Sequence, residues 1–394
     1  MTVLFITYSI DTYNNPATLG LFRKLVDRGV KIIVAAQYNR FVSPIPEVKH
    51  IDIYISDSIK TINPFKWIKH RLRYYYQIFK IIKPNKPDLL IGVDAKGITL
   101  ARECQRINRL LRFKNVRLDF FSFEMFFGDE GAEKRKEILA CRHISNLIIQ
   151  DELRNELLRK ENKIPNNVQS FFLPVAPLLS KSEGIVRINK PLKIREKYNL
   201  SDNIKLIIFF GSFAEWSGAE WIIHAAEASI KDTVFVIHSR FKFNERDPIQ
   251  KKIIELNKNS HSIILSDYYI NTAEEIIDFL KQFDAGLVFY IPFNNIYTGK
   301  NTYNIGYSSG KFSHLMAAGV PVITNNLPTY SKLNSQYNFG FVVNDKNDLV
   351  DLLNNCPDFS AYKENCSRLY HEVLDPSSAI DNYVNHIITT NSPN

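Results

Sequence analysis

The segment with the most chemical content in this sequence runs over residues 304–324, NIGYSSGKFSHLMAAGVPVIT. Ser308, Ser309 and Gly310 lead into a short apolar helix, which Gly319 ends and Pro321 prevents from continuing. A helix start exposes backbone N–H groups without partners at the positive end of the helix dipole, and an anion is stabilised there. Gly310 lets a phosphate approach the main chain, and Lys311 adds a full positive charge in the first turn. Ordinary capping would use the same serines and leave Lys311 in water. A Walker A loop does not fit. Gly306 and Gly310 are separated by three residues rather than four, and Phe312 stands where that loop needs Ser or Thr.

Such a turn works only if a rigid scaffold holds it, and the surrounding sequence supplies one. Apolar runs alternate with helical patterns from the first residues onward: strands over 3–10, 30–36, 88–93, 118–123 and 146–150, with helices over 65–82, 97–112, 132–142 and 151–160 between them. A further strand is expected at 168–174. Strand, helix, strand at this spacing predicts βαβ units and a parallel sheet. Residues 176–200 change character, with Pro177, Ser180, Ser182, Gly184 and Pro191 breaking any core-forming period. The rhythm then restarts with strands over 204–211, 233–239, 262–266, 285–290, 321–324 and 339–343. The expected organisation is a first domain over 1–175, a linker over 176–200, a second domain over 201–375 and a C-terminal helical segment over 376–394. In open α/β sheets ligands bind beyond the carboxyl ends of the strands. Asp94, directly after one strand, and Glu124, after the next, are therefore placed to take a proton from a substrate hydroxyl. The plainer readings are a helix cap for Asp94 and an ion pair for Glu124. Asp151 is expected to cap a helix.

The chain has 394 residues and a formal charge of +9, which suits phosphate-rich ligands, nucleic acid or an anionic membrane without choosing among them. The distribution is more informative. Between Asp57 and Asp88 there is no acidic residue, while Lys60, Lys66, Lys69, Arg71, Arg73, Lys80, Lys83 and Lys86 are interleaved with Trp67, Tyr74, Tyr75, Tyr76 and Phe79. A basic, aromatic helix over 60–86 is the composition of an interfacial membrane contact; a sheet-packing helix with a solvated face is the alternative. No nucleic-acid module accompanies the charge. Cys104, Cys141, Cys356 and Cys366 are scattered, with neither zinc spacing nor a disulfide pattern. The apolar opening MTVLFITYSI stops at Asp11 without a basic leader, so a cytoplasmic protein, peripheral on the inner face of the cell membrane, is expected.

The segment SSGKFSHLMAAGVPVIT resembles the donor-binding signature of GT-B glycosyltransferases, the large group of retaining, nucleotide-sugar-dependent enzymes. LIIFFGSFAEWSGAEWIIHAA (206–226) is similar to the opening strand, loop and helix of that family's C-terminal domain, and NTAEEIIDFLKQFDAGLVFYIP (271–292) is similar to the helix and strand before its donor loop. All three occur in family order. The resemblance implies two doubly wound Rossmann-like domains facing a central cleft, an N-terminal acceptor domain, a C-terminal nucleotide-sugar domain and a last helix returning to the first domain. It implies that Gly211 and Ser212 approach the donor diphosphate and that Arg240 grips its oxygens. Ser308, Ser309, Gly310 and Lys311 would hold the diphosphate or ribose, residues 266–269 would frame the base, and Asn14 and Asn15 would touch the acceptor. No metal or other cofactor is implied beyond the nucleotide sugar. The activity implied is transfer of a sugar to a glycan or lipid-linked acceptor in surface polysaccharide or lipopolysaccharide synthesis, with retention of configuration. Two departures stand out. Gly306 and His314 occupy the positions of the family's paired glutamates. A catalytically silent donor-binding subunit, an epimerase and a polyol-phosphate transferase are the alternatives these departures leave open.

Overall fold

The computed structural model describes residues 1–8, 15–36, 45–53, 64–110, 116–127, 131–179, 192–239, 242–260, 262–266, 268, 270, 272–292, 296–355 and 357–391. It divides into two compact units, one formed by 1–174 with 376–394, the other by 175–375.

The first unit follows the order β1 (Thr2–Thr7), α1 (Pro16–Asp27), β2 (Lys31–Ala36), β3 (Lys49–Asp52), α2 (Pro64–Asn85), β4 (Leu89–Val93), α3 (Asp94–Leu110), β5 (Arg117–Phe121), α4 (Gly131–Cys141), β6 (Asn146–Ile149), α5 (Glu152–Asn162) and β7 (Gln169–Phe172). These strands form one parallel sheet in the order β3-β2-β1-β4-β5-β6-β7. The central strands are buried along nearly their whole length. Val, Leu, Ile and Phe therefore run consecutively instead of alternating with polar residues, because helices cover both faces of a parallel sheet.

The second unit contains α6 (Ile194–Tyr198), β8 (Lys205–Phe210), α7 (Ala219–Glu227), β9 (Thr233–His238), α8 (Pro248–Asn259), β10 (Ile263–Ser266), α9 (Ala273–Leu280), β11 (Ala285–Val288), α10 (Ile296–Tyr303), α11 (Gly310–Ala317), β12 (Val322–Asn325), α12 (Pro328–Tyr337), β13 (Gly340–Val343), α13 (Lys346–Asn354) and α14 (Lys363–Leu369). Its six strands are again parallel, ordered β10-β9-β8-β11-β12-β13. Within the stretch expected as linker, α6 forms, and Ala176 and Ile194 are buried in the core of this unit.

The last helix, α15 (Ser377–Asn391), belongs to the first unit. Its Tyr383 hydroxyl donates to the buried Asp119 carboxylate at 2.8 Å, where Asn146 donates as well. Burial lifts the Asp119 carboxyl to about 6, and these donated bonds oppose the rise. Lys24 on α1 pairs with Asp381 of α15 at 2.7 Å.

Chain order reverses direction once in each sheet, between β1 and β4 in the first and between β8 and β11 in the second. At such a switch point neighbouring loops leave the strand ends in opposite directions and open a crevice for a ligand. Asp94 follows β4, Gly211 follows β8 and Tyr290 lies just beyond β11.

Candidate functional site

In the second unit, the predicted helix start is α11. Ser309 is its N-cap, with its hydroxyl accepting the Phe312 N–H at 3.1 Å and sharing a hydrogen bond with the Tyr290 hydroxyl at 2.7 Å. Capping is thus real and occupies the Ser309 side chain, which is 1% exposed. The N–H groups of Gly310 and Lys311, first in the helix, have no acceptor among the described residues. They are what the turn offers an anion. Ser308 donates its N–H to the Ile305 carbonyl and is only partly buried.

Lys311 is not solvated, as simple capping would have left it. Its side chain runs over Gly211, and a Cβ at that glycine would lie 3.2 Å from Lys311 Cδ. Gly211 also has φ of +110°, a region that disfavours other residues. The Lys311 ammonium nitrogen is buried and has no hydrogen-bond partner among the described residues. Three aromatic rings surround it instead: Phe209 at 4.6 Å, Tyr290 at 4.9 Å and Trp216 at 5.5 Å from nitrogen to ring centre. Burial alone pulls its pKa down to about 7. Tyr290 is fixed from β12, because the Asn325 side chain accepts its N–H at 2.9 Å and donates to its carbonyl at 2.8 Å.

The two departures from the retaining pattern have structural reasons. Gly306 has φ of +53° in a short 3-10 turn, where glycine is favoured over glutamate. His314 is buried, and its Nδ1 is 2.6 Å from the Gly310 carbonyl, so the Nδ1–H donates there. Burial lowers its pKa, with the Gly310 bond acting in opposition. A neutral imidazole therefore stands where the pattern has a carboxylate, with Nε2 left as an acceptor.

At the switch point of the first sheet, Asp94 opens α3 with φ of +56°. Such a conformation costs a non-glycine residue about 1–3 kcal/mol and is held only by close packing around it. Gly92 and Gly97 supply that packing. A Cβ on Gly92 would lie 2.4 Å from Ile98 Cα, and one on Gly97 would lie 2.4 Å from the Ile6 carbonyl oxygen. Asp94 Oδ1 accepts the N–H groups of Phe123 at 2.6 Å and Glu124 at 2.9 Å, so the two predicted acidic residues meet. Oδ2 has no hydrogen bond among the described residues. Burial pushes the Asp94 carboxyl up to about 7, the nearby Glu124 charge adds to the rise, and the two amides oppose it. The 122–124 turn is braced from α5: the fully buried Arg154 donates to Gln150 at 2.8 Å and to the Phe123 carbonyl at 2.6 Å, while Gln150 donates to the Ser122 carbonyl at 2.6 Å.

The remaining expectations are placed as follows. Ser212 is exposed beside Gly211. Asn15 is the N-cap of α1, its side-chain oxygen accepting from Ala17 and Thr18, so that oxygen serves the helix. Asp151 caps α5 as expected. Ser266 shares a hydrogen bond with His238 at 3.2 Å at the ends of β10 and β9. Arg240, Asn14, Lys60 and Cys356 lie outside the described residues, as do Asp267 and Tyr269 of the segment expected to frame the base. Along α2 the exposed positions Lys69, Leu72, Arg73, Tyr76, Lys80 and Lys83 follow helical spacing opposite the buried Ile78, Ile81 and Ile82. The aromatic box around Lys311 and the brace at Arg154 were not anticipated. Their only sequence signal is position: Phe209 near the end of β8, Tyr290 just past β11, and Arg154 one helical turn after Gln150.

No protein-family model matches the sequence, and no curated protein matches it. Solved structures do. The chain superposes on HepE (Alr3699) of Anabaena, solved in complex with UDP-glucose, at TM-score 0.68 and 12% identity over 99% of this chain and 100% of that one. WaaG, a glycosyltransferase involved in lipopolysaccharide biosynthesis, gives 0.61 and 13% over 98% and 99%. A UDP-N-acetylglucosamine 2-epimerase from Listeria monocytogenes, itself described as putative, gives 0.62 and 12% over 99% and 96%. At these identities the likeness shows the fold, and the chain has the GT-B fold of two parallel-sheet α/β domains.

Proposed function

We propose that the chain is a glycosyltransferase that takes a sugar from a nucleotide-diphosphate donor and passes it to a hydroxyl of a glycan or lipid-linked acceptor. The observation that carries this reading is the Lys311 nitrogen, buried without a hydrogen-bond partner among the described residues, beside two helix N–H groups that have no acceptor among them, at the switch point of the second sheet. A buried lysine nitrogen without acceptors holds its proton only at a cost, and an anionic ligand would relieve that cost. The donor's diphosphate has the required charge. Gly211 keeps the approach clear, and Asp94, whose pKa lies near neutrality, is the group we assign to receive the acceptor's proton. The complex of HepE with UDP-glucose makes UDP-sugars the first donors to test.

We infer retention of configuration from the likeness of the donor segment, and proton NMR of donor and product checks it: inversion would sink that part. The acceptor's surroundings are read from α2. Its stripe of Lys69, Arg73, Lys80 and Lys83 around exposed Leu72 and Tyr76 supports docking on an anionic membrane, as lipid-linked or lipopolysaccharide acceptors would require. Sedimentation with phosphatidylglycerol vesicles should carry the protein down, and reversal of the four charges to Glu should leave it in solution; equal sedimentation would reject the assignment.

A thermal-shift panel of nucleotide sugars tests the central reading. A donor at 100 times its Kd stabilises the native state by about 2.7 kcal/mol, and Lys311→Ala should abolish the shift. A panel with no shift at all would reject it. One second reading has an observation behind it. Gly306 and His314 remove both carboxylates of the retaining pattern, as a silent donor-binding subunit would tolerate; such a protein would bind a donor and never turn it over.

A further inference from the structure

Building on the reading of this site as a donor-diphosphate site, we propose that above neutral pH Lys311 is an uncharged amine until the ligand's diphosphate binds together with one proton, which is taken from solvent and lodges on Lys311. The geometry supports both halves. The nitrogen is enclosed and, among the described residues, has neither a hydrogen-bond partner nor a carboxylate partner. An ammonium carries three N–H donors that need acceptors, whereas a neutral amine tolerates an apolar enclosure far better.

Among the described residues, the elements packed around the nitrogen present either a ring or a neutral group. From β8 comes Phe209, and Gly211 follows it with no side chain. The 3-10 turn Glu215–Ser217 presents Trp216, while Glu215 itself is exposed. Beyond β11 stands Tyr290, whose hydroxyl is engaged with Ser309. One turn along α11 is His314, with its Nδ1 held by the Gly310 carbonyl and its pKa lowered by burial. The three rings favour the charged form through their π faces, but burial is the larger influence and brings the amine to about 7. An arriving diphosphate reverses the balance. Its oxygens give the ammonium the acceptors it lacks, and opposite charge at contact distance favours protonation. No bond is made or broken in the ligand; one proton moves from solvent to nitrogen.

This predicts a donor site whose affinity weakens as pH rises, with a slope set by one proton. The slope applies between the titration of free Lys311 and that of the bound ammonium, so above neutrality Kd should rise up to about tenfold per pH unit. Two measurements test it. In the first, [13Cε]lysine NMR of the free protein, assigned by the signal missing in Lys311→Arg, should show Lys311 titrating near neutrality. Titration near the ordinary value of about 10.4 overturns the proposal. In the second, calorimetry with UDP, GDP and inorganic pyrophosphate at pH 8 in buffers of different ionisation enthalpy should show close to one proton taken up. Lys311→Arg, always charged, should bind more weakly and take up none beyond the ligand's own.

Nucleotide binding with equal proton uptake in both proteins overturns the inference and leaves the donor reading standing. Proton-linked binding of pyrophosphate without any nucleotide binding does the reverse. Absence of binding by all three probes overturns both.

Discussion

Asp94 and Lys311 share a physical condition, each an ionisable group pressed out of water beside a strand end, and each is moved toward neutral pH by burial. For Asp94 the sign of the stability effect is fixed. Its folded pKa of about 7 lies above the unfolded value of 3.8, so the native state holds a proton that the unfolded state has lost. Its contribution to stability is complete below the unfolded value and is lost as pH rises through about 7. Asp94→Asn keeps an oxygen for the Phe123 and Glu124 amides and has no proton to lose. The variant should therefore gain stability relative to wild type between about pH 4 and pH 8, by at most about 4 kcal/mol, in urea titrations across that range. Its transferase kcat should fall about 10²–10⁴-fold, and the rise in rate through pH 7 should vanish. A constant stability difference at every pH would contradict the assignment. At this scale the sequence was legible where a backbone role or a charge marked the residue. Gly310, Lys311 and the strand-end acids could be picked out because their types are informative in any context. The enclosure of Lys311 could not, since Phe209, Trp216 and Tyr290 read simply as core residues until the sheet order brings β8, the 3-10 turn after it and the end of β11 together.

Among the elements, α3 does most to position chemistry in the first unit. It lies against β1 and β4 so closely that Gly92 and Gly97 have no room for a Cβ. In Gly97→Ala the new methyl must displace the Ile6 carbonyl or tilt the helix, at a cost of about 1–3 kcal/mol. Hydrogen exchange should then quicken in residues 89–110 and stay unchanged in 204–325; uniform protection in both would show the contact to be slack. Long apolar runs made most strands easy to place from sequence, because a strand buried on both faces leaves little else it could be. The elements missed were those without that signal. β3 is an edge strand of four residues, KHID, exposed at Lys49 and Asp52 and half-buried between them. α10 and α12 are short and polar, with helix starts that no strong apolar period announces. Helix α3 begins at Asp94, three residues before the expected start at 97, and Gly97, expected as its first residue, packs inside it against Ile6.

On the scale of the whole molecule, two parallel sheets with one reversal each explain why the candidate residues lie far apart in sequence yet fall at equivalent points of their own units. The C-terminal helix returns to the first unit through Tyr383 and Asp119, a pairing of residues 264 positions apart that local pattern has no means of showing. The alternation of strand and helix was enough to expect two doubly wound domains, whereas sugar, acceptor and linkage depend on pocket shape that the pattern does not encode. The most direct test of the account is mass spectrometry of a nucleotide-sugar panel incubated with the protein and a membrane-lipid extract. The account predicts a product heavier than an acceptor by one glycosyl residue, with matching nucleotide diphosphate release, and loss of both in Lys311→Ala. A donor returned at unchanged mass as its epimer, or left intact by a protein that binds it, would contradict the claim of sugar transfer.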